Sequence, residues 1–259
     1  MGKFSCVAVL LFVCSNAFSQ TADTVFGLGS YVNISENSKI GVVVDNKLQL
    51  YNYPDGRWQL VDKSDLVLPE KCSSVFYFTR SYEYYKSVEL IIGAIADGKI
   101  HFYKFDERDG WQLIPELEFS LPNGTISAFG AIYFGYVVGL VSDDPGTDTS
   151  IVQFYRFGEE DMWALIPDID FILPGSYELV FGTFGGIGII VNNKIQFFDI
   201  GEDKTWQLAE EVDFILPGGY ESVFYFGNIG VVFNNRVQFY HFDDDTLELN
   251  LLPDADFVR

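Results

Sequence analysis

Short apolar segments separated by polar turns run the length of this chain. Aromatic and β-branched residues fill the segments, as in ESVFYF (221–226), IGVVF (229–233) and RVQFYHF (236–242), and Gly, Pro, Asn and Asp mark the breaks. No helical period competes with this pattern, so it predicts strands, with a fourth over roughly 247–257. Some strands are apolar at both alternating positions, as at Ile195, Phe197 and Phe198. Such strands belong to sheets covered on both faces.

The pattern repeats. Leu-Pro recurs with its proline at Pro69, Pro122, Pro174 and Pro217, at intervals of 53, 52 and 43 residues. Trp58, Trp111, Trp163 and Trp206 keep the same step, and Leu249 takes the fifth place. Gln49, His101, Gln153, Gln196 and Gln238 each stand second in the strand after a polar turn. These marks define five copies of about 43–53 residues, the extra length falling around 79–89 and at 142–149, where loops tolerate it. Five four-stranded antiparallel sheets packed face to face around an axis meet these demands: an all-β, five-bladed β-propeller over residues 20–259. A parallel solenoid needs shorter repeats, and a membrane barrel gives no reason for this rhythm.

Antiparallel order puts two sets of connections on one face. The polar turns VDNK, ADGK, VNNK and FNNR (starting at Val44, Ala96, Val191 and Phe233) are expected beside the Leu-Pro crossovers between blades. Asn46, Lys47, Asn193, Lys194, Asn235 and Arg236 lie in these turns, and Tyr177 and Tyr220 in the crossovers. Asn-Asn, Asp-Asn and Asp-Gly are also the pairs that two-residue hairpins favour, so the turns need no ligand to explain them. The opposite face takes the loops YPDGRW, FDERDGW, FGEEDMW, GEDKTW and FDDDTL, an acidic rim that would attract Ca²⁺ or a basic partner, or simply be solvated. Asp143, Asp144 and Asp148 add an Asp-rich loop without the ligand spacing of a dedicated calcium loop.

Two further positions recur. Asp65, Glu118, Asp170, Asp213 and Asp256 stand at equivalent places before an apolar residue. A carboxylate there is expected to accept backbone N–H bonds, with metal or sugar contact as the alternative. The tryptophans either pack on the next sheet or stack on the apolar face of a sugar.

Composition narrows the class. The chain is 48% hydrophobic and 17% aromatic, with a formal charge of −21. That charge argues against nucleic acid and against an anionic membrane surface. Residues 1–19 read as a signal peptide, with Lys3, an apolar run over 5–15 and Ala17-Phe18-Ser19 before the cleavage point. Export to the outside or the periplasm is therefore expected. Lipid attachment at Cys14 is the alternative, for which Val13 is a poor preceding residue. Cleavage leaves Cys72 alone, so stability is expected from apolar burial. No other apolar stretch reaches transmembrane length. Asn33 and Asn123 begin glycosylation sequons, meaningful only in a eukaryotic host.

No catalytic constellation converges. His101 and His241 occupy different places in their repeats, no Gly-x-Ser-x-Gly or His-Glu-x-x-His occurs, and no copy carries a distinctive acidic cluster in its apolar strands. The expectation is a binding protein with no catalytic residue and no cofactor apart from possible Ca²⁺. A glycosidase built on carboxylates from different blades is less favoured.

The repeat unit reads Phe-x-Phe, a Gly-containing turn, a strand, Asn-Asn-Lys, an aromatic strand, a polar loop, Trp, then Gly-Gly-Tyr before the next Phe. This resembles the tachylectin-type five-bladed propeller lectins, where Asn-Asp-Lys precedes a Tyr-bearing strand and Gly-Gly-Trp opens the next blade. Here the last motif becomes Gly-Gly-Tyr at Tyr220, Gly-Ser-Tyr at Tyr177, Asn-Gly-Thr at Thr125 and Glu-Lys-Cys at Cys72. The resemblance implies several N-acetylated-sugar sites between blades. Combined with the turn chemistry, it makes Asn46, Lys47, Asn193, Lys194, Asn235, Arg236, Tyr177 and Tyr220 the candidate contacts for glycans or glycoconjugates. A protein-interaction or surface scaffold using the acidic rim is the alternative.

Overall fold

The computed structural model describes residues 25–28, 39–80, 89–131, 137–143, 149–158, 162–183, 185–201, 203–225, 228–234, 236–243 and 248–258. The expected signal peptide, Cys14, Asn33, Asp144, Asp148 and Asn235 lie outside them. Five antiparallel sheets follow one another along the chain. The first three strands of each are Val25–Leu28, Lys39–Val44 and Lys47–Asn52 in blade one; Ser74–Arg80, Glu89–Ala96 and Lys99–Asp106 in blade two; and Thr125–Ala131, Val137–Asp143 and Ser150–Phe157 in blade three. Blade four has Tyr177–Gly182, Gly186–Val191 and Lys194–Ile200, and blade five has Ser222–Tyr225, Ile229–Phe233 and Arg236–Asp243.

The fourth, outermost strand departs from the sequence expectation. In blade five it divides into Glu248–Leu251 and Phe257–Val258 around a 3₁₀ turn at Pro253–Ala255. Blade two divides likewise around Pro115–Leu117, and blades one and three are also split. A proline has no N–H to give a ladder, and the break shortens an edge that would otherwise invite pairing. Blade four has Glu210 where blades two, three and five have Pro115, Pro167 and Pro253, and its outer strand runs unbroken over Trp206–Ile215.

First strands touch in succession around the axis, and that of blade one also meets that of blade five, so the ring closes. The protein is a five-bladed β-propeller. Its core is five separate clusters, one between each pair of neighbouring blades. Phe102, Ile100 and Val138 are fully buried in one of them, and Phe239, Val237 and Ile40 in another. Covered sheets explain why the strands are apolar on both sides.

Blades two to five are each thin at one point. Gly93, Gly139, Gly188 and Gly230 on second strands face Phe76, Phe129, Phe181 and Phe224 on first strands. A Cβ added at these glycines would stand only 2.2–2.4 Å from the phenyl Cζ, so the ring lies flat over the glycine. Among the described residues no helix is long and apolar enough to cross a membrane.

Candidate functional site

The polar turns are hairpins of the expected kind. Asp45 and Asn46 have φ of 49° and 61°, Asp97 and Gly98 49° and 73°, and Asn192 and Asn193 51° and 65°. Consecutive positive φ values at both central residues suit the right-handed twist of the flanking strands. The second turn residue is also tied to the crossover. Asn46 Nδ2 donates to the Leu68 carbonyl at 3.0 Å, and Leu68 N–H returns a 3.0 Å bond to the Asn46 carbonyl. Asn193 and Leu216 repeat the exchange at 3.1 and 3.0 Å. Turn and crossover therefore do share a face, and the Leu-Pro sequence is the strap between them.

The strap changes the standing of the candidate contacts. The side-chain N–H groups of Asn46 and Asn193 already serve the crossover. Tyr220 Oη donates to Glu178 Oε2 at 2.6 Å, and the other oxygen of Glu178 accepts the Asn193 backbone N–H at 2.8 Å. Burial, with the Glu178 bond behind it, pushes the Tyr220 phenol far above its ordinary pKa of 10.0. Asn193 and Tyr220 thus meet on a carboxylate that the sequence reasoning missed. Lys194 follows directly in the chain. Tyr177 stands in a different blade junction, its Oη 3.3 Å from Ser150 Oγ, and Ser150 Oγ reaches Asp143 at 3.3 Å. Both tyrosine rings pack against interblade clusters. Lys47 and Arg236 are exposed, each in its own blade. Among the described residues no three His, Cys, Asp or Glu groups gather to hold a metal ion.

The tryptophans have a definite structural task. Each indole N–H donates to a carbonyl of the preceding blade: Trp111 to Ser64 at 2.7 Å, Trp163 to Leu117 at 2.8 Å and Trp206 to Ile169 at 2.9 Å. Trp58 reaches Ala255 at 2.7 Å and so joins the first blade to the last. The rings of Trp58, Trp163 and Trp206 stack on Phe239, Phe102 and Phe154 at 5.4–5.5 Å. Those phenylalanines belong to the preceding blade, not the next one.

The acidic ring is bonded differently from the expectation. Asp65, Glu118 and Asp170 take side-chain donors from the third strand. Gln49 Nε2 donates to Asp65 at 3.0 Å and Gln153 Nε2 approaches Asp170 at 3.5 Å. In blade two Lys99 Nζ lies 2.6 Å from Glu118, with His101 Nδ1 at 3.4 Å, and the lysine holds this carboxyl below its usual range. Asp256 differs: its Oδ1 is shielded from solvent and has no hydrogen-bond partner among the described residues. Burial raises its pKa, against the opposing pull of Arg236.

Asp256 lines a cleft of about 480 Å³ between the fifth and first blades. Tyr51, Tyr53, Trp58 and Phe257 form its aromatic walls, with Val42 and Val44 beside them and Arg57 at the edge. Tyr53 lies 4.9 Å from Trp58, and Tyr51 meets Phe257 edge-on at 4.9 Å. Gly56, at φ 69°, turns the chain between Tyr53 and Trp58. The Leu-Pro crossovers at Pro69, Pro122, Pro174 and Pro217 join the other four blade pairs, and the cleft lies at the junction of the first and last blades. Trp58 and Asp256 recur in the sequence as separate ring positions, and nothing in it signals that both line one cleft.

Other reactive groups are held elsewhere. Burial pushes the Cys72 thiol up, which disfavours the thiolate, and its Sγ contacts the Ser74 carbonyl at 3.4 Å. His241 Nδ1 lies 3.3 Å from Asn228 Oδ1.

No protein-family model matches the chain, and no curated protein matches it. Among solved structures it is similar to a functionally unknown protein from Desulfotomaculum acetoxidans DSM 771, at 10% identity and TM-score 0.39, over 90% of this chain and 70% of that one. It is similar to the WD40 domain of SCAP from fission yeast at 11% identity and TM-score 0.39, over 82% of this chain and 52% of that one. Hsv2 from Kluyveromyces lactis matches at 12% identity and TM-score 0.38, over 92% and 65%. Likeness of this degree carries no inference about ligand or activity.

Proposed function

We propose that the protein is a secreted, non-enzymatic, carbohydrate-binding propeller whose principal site is the cleft between the fifth and first blades. The supporting observation is the cleft's combination of aromatic walls with the polar groups of Arg57 and Asp256 in its lining. A sugar ring has an apolar face, which Tyr51, Tyr53 and Trp58 cover, and an edge of hydroxyl donors, which Asp256 accepts. Arg57 supplies donors to ring or acetamido oxygens.

This reading replaces a ring of equal sites at the polar turns with one main site. Asn46 and Asn193 have structural partners, and Tyr220 is committed to Glu178. Glycan-array screening followed by calorimetry tests the proposal. A bound glycan whose affinity falls on Arg57→Ala and Tyr53→Ala supports it, and a silent array argues against it.

A further inference from the structure

The outermost strand of every blade carries one exposed pattern, independent of the carbohydrate reading. Leu60, Leu113, Leu165, Leu208 and Leu251 are each 44–50% exposed. Seven residues later stand Val67, Ser120, Ile172, Ile215 and Val258, and the four aliphatic ones are 65–69% exposed. Leu60 pairs with Tyr51 and Val67 with Lys47 on the third strand. Leu165 and Ile172 pair with Tyr155 and Ile151, and Leu251 and Val258 with Tyr240 and Arg236. Leu208 and Ile215 pair with Phe198 and Lys194. Each pair of partners is four positions apart, roughly 13 Å along a strand, and even spacing returns to the same face.

A carboxylate sits at the midpoint. Asp65 is held by Gln49 and Asp170 by Gln153, each the third-strand residue halfway between the two partners, whereas Glu118 is paired with Lys99 at 2.6 Å and lies 3.4 Å from His101. A glutamine donor leaves the negative charge in place. The lines of blades one and three therefore run aliphatic, carboxylate, aliphatic; blade two has Ser120 in the second aliphatic place and a lysine-paired carboxylate. The fold gains little from side chains that remain two-thirds exposed, and apolar residues on an outer edge favour unwanted pairing. Their recurrence at one register calls for an occupant.

We propose that extended cationic protein segments dock along these outer blade faces, presenting an aliphatic, a lysine or arginine, and a second aliphatic residue at positions i, i+2 and i+4. Such a segment matches the spacing, because an extended chain also covers about 13 Å in four residues. It matches the charge as well: a chain of formal charge −21 attracts basic segments, and a second copy would set carboxylate against carboxylate. Several equivalent lines on one ring let weak contacts add.

The test uses a fluorescent peptide repeating Val-Thr-Lys-Thr and an isomer of identical composition with its valines and lysines in separate blocks. Anisotropy is measured with the full protein at about 0.15 M salt, where loose charge attraction is screened. The patterned peptide is expected to bind about tenfold more tightly than its isomer. It is also expected to lose most of its affinity for the triple variant Val67→Ser, Ile172→Ser, Ile215→Ser. Equal binding of the two peptides, no binding, or undiminished binding to a folded triple variant overturns the proposal. The peptide comparison on the unaltered protein stands even if the variant fails to fold.

Discussion

The indole N–H of Trp58 donates to the carbonyl oxygen of Ala255 over 2.7 Å, across 197 residues of chain. This bond, with the stacking of Trp58 on Phe239, joins the first blade to the last. Trp58→Phe keeps most of the apolar surface but leaves the carbonyl unpaired, at a cost of about 1–3 kcal/mol. Thermal melting is expected to shift down by several degrees, and unchanged melting would remove the bond from the account.

Leu249 stands where the other blades have tryptophan, so the fourth–fifth junction has no indole donor. Leu249→Trp is expected to reach the carbonyl before Asp213 and to stabilise by about 0.5–1.5 kcal/mol. Urea unfolding measures it. A loss of stability would mean that the larger ring does not fit beside Phe197 and Phe214, with which Leu249 now packs.

The repeat was legible because most copies carry the same local signals: Leu-Pro, a two-residue turn, and Trp after an acidic loop. Turn geometry at Asn46 and Asn193 follows from local chemistry, so it was readable. What Asn46 donates to was not, because Leu68 lies 22 residues away and its carbonyl leaves no mark in the sequence. The acidic ring and the Gln/His positions were both visible as repeats, yet their pairing depends on strand register. The cleft was hidden most completely, since Trp58 and Phe257 meet only when the ring closes.

Gly139 lies beneath the Phe129 ring, and an added Cβ would approach Cζ to 2.3 Å. Gly139→Ala must displace a phenylalanine buried between blades three and four. We expect about 1–3 kcal/mol of destabilisation. Gly218→Ala, with nothing within 4 Å of its added Cβ, is the matched control and should melt near the parent. Equal melting of the two would contradict the packing.

Asp256 gives a pH dependence of defined sign. Burial raises its pKa above the ordinary 3.8, so the folded chain holds the proton more tightly than the unfolded one. The penalty for ionising it is absent below the unfolded value and fully present once pH exceeds the folded value. Asp256→Asn should therefore melt higher than the parent at pH 7 and together with it near pH 3. A variant less stable at pH 7 would show that Arg236 outweighs burial.

The account rests most heavily on the cleft, and titration of a glycan selected on the array, followed by calorimetry and by tryptophan fluorescence, tests it directly. Binding to one dominant site per chain is predicted, with a fluorescence change lost in Trp58→Phe and affinity at least about tenfold weaker in Arg57→Ala. Absence of glycan binding, or full affinity in both Arg57→Ala and Tyr53→Ala, would contradict it.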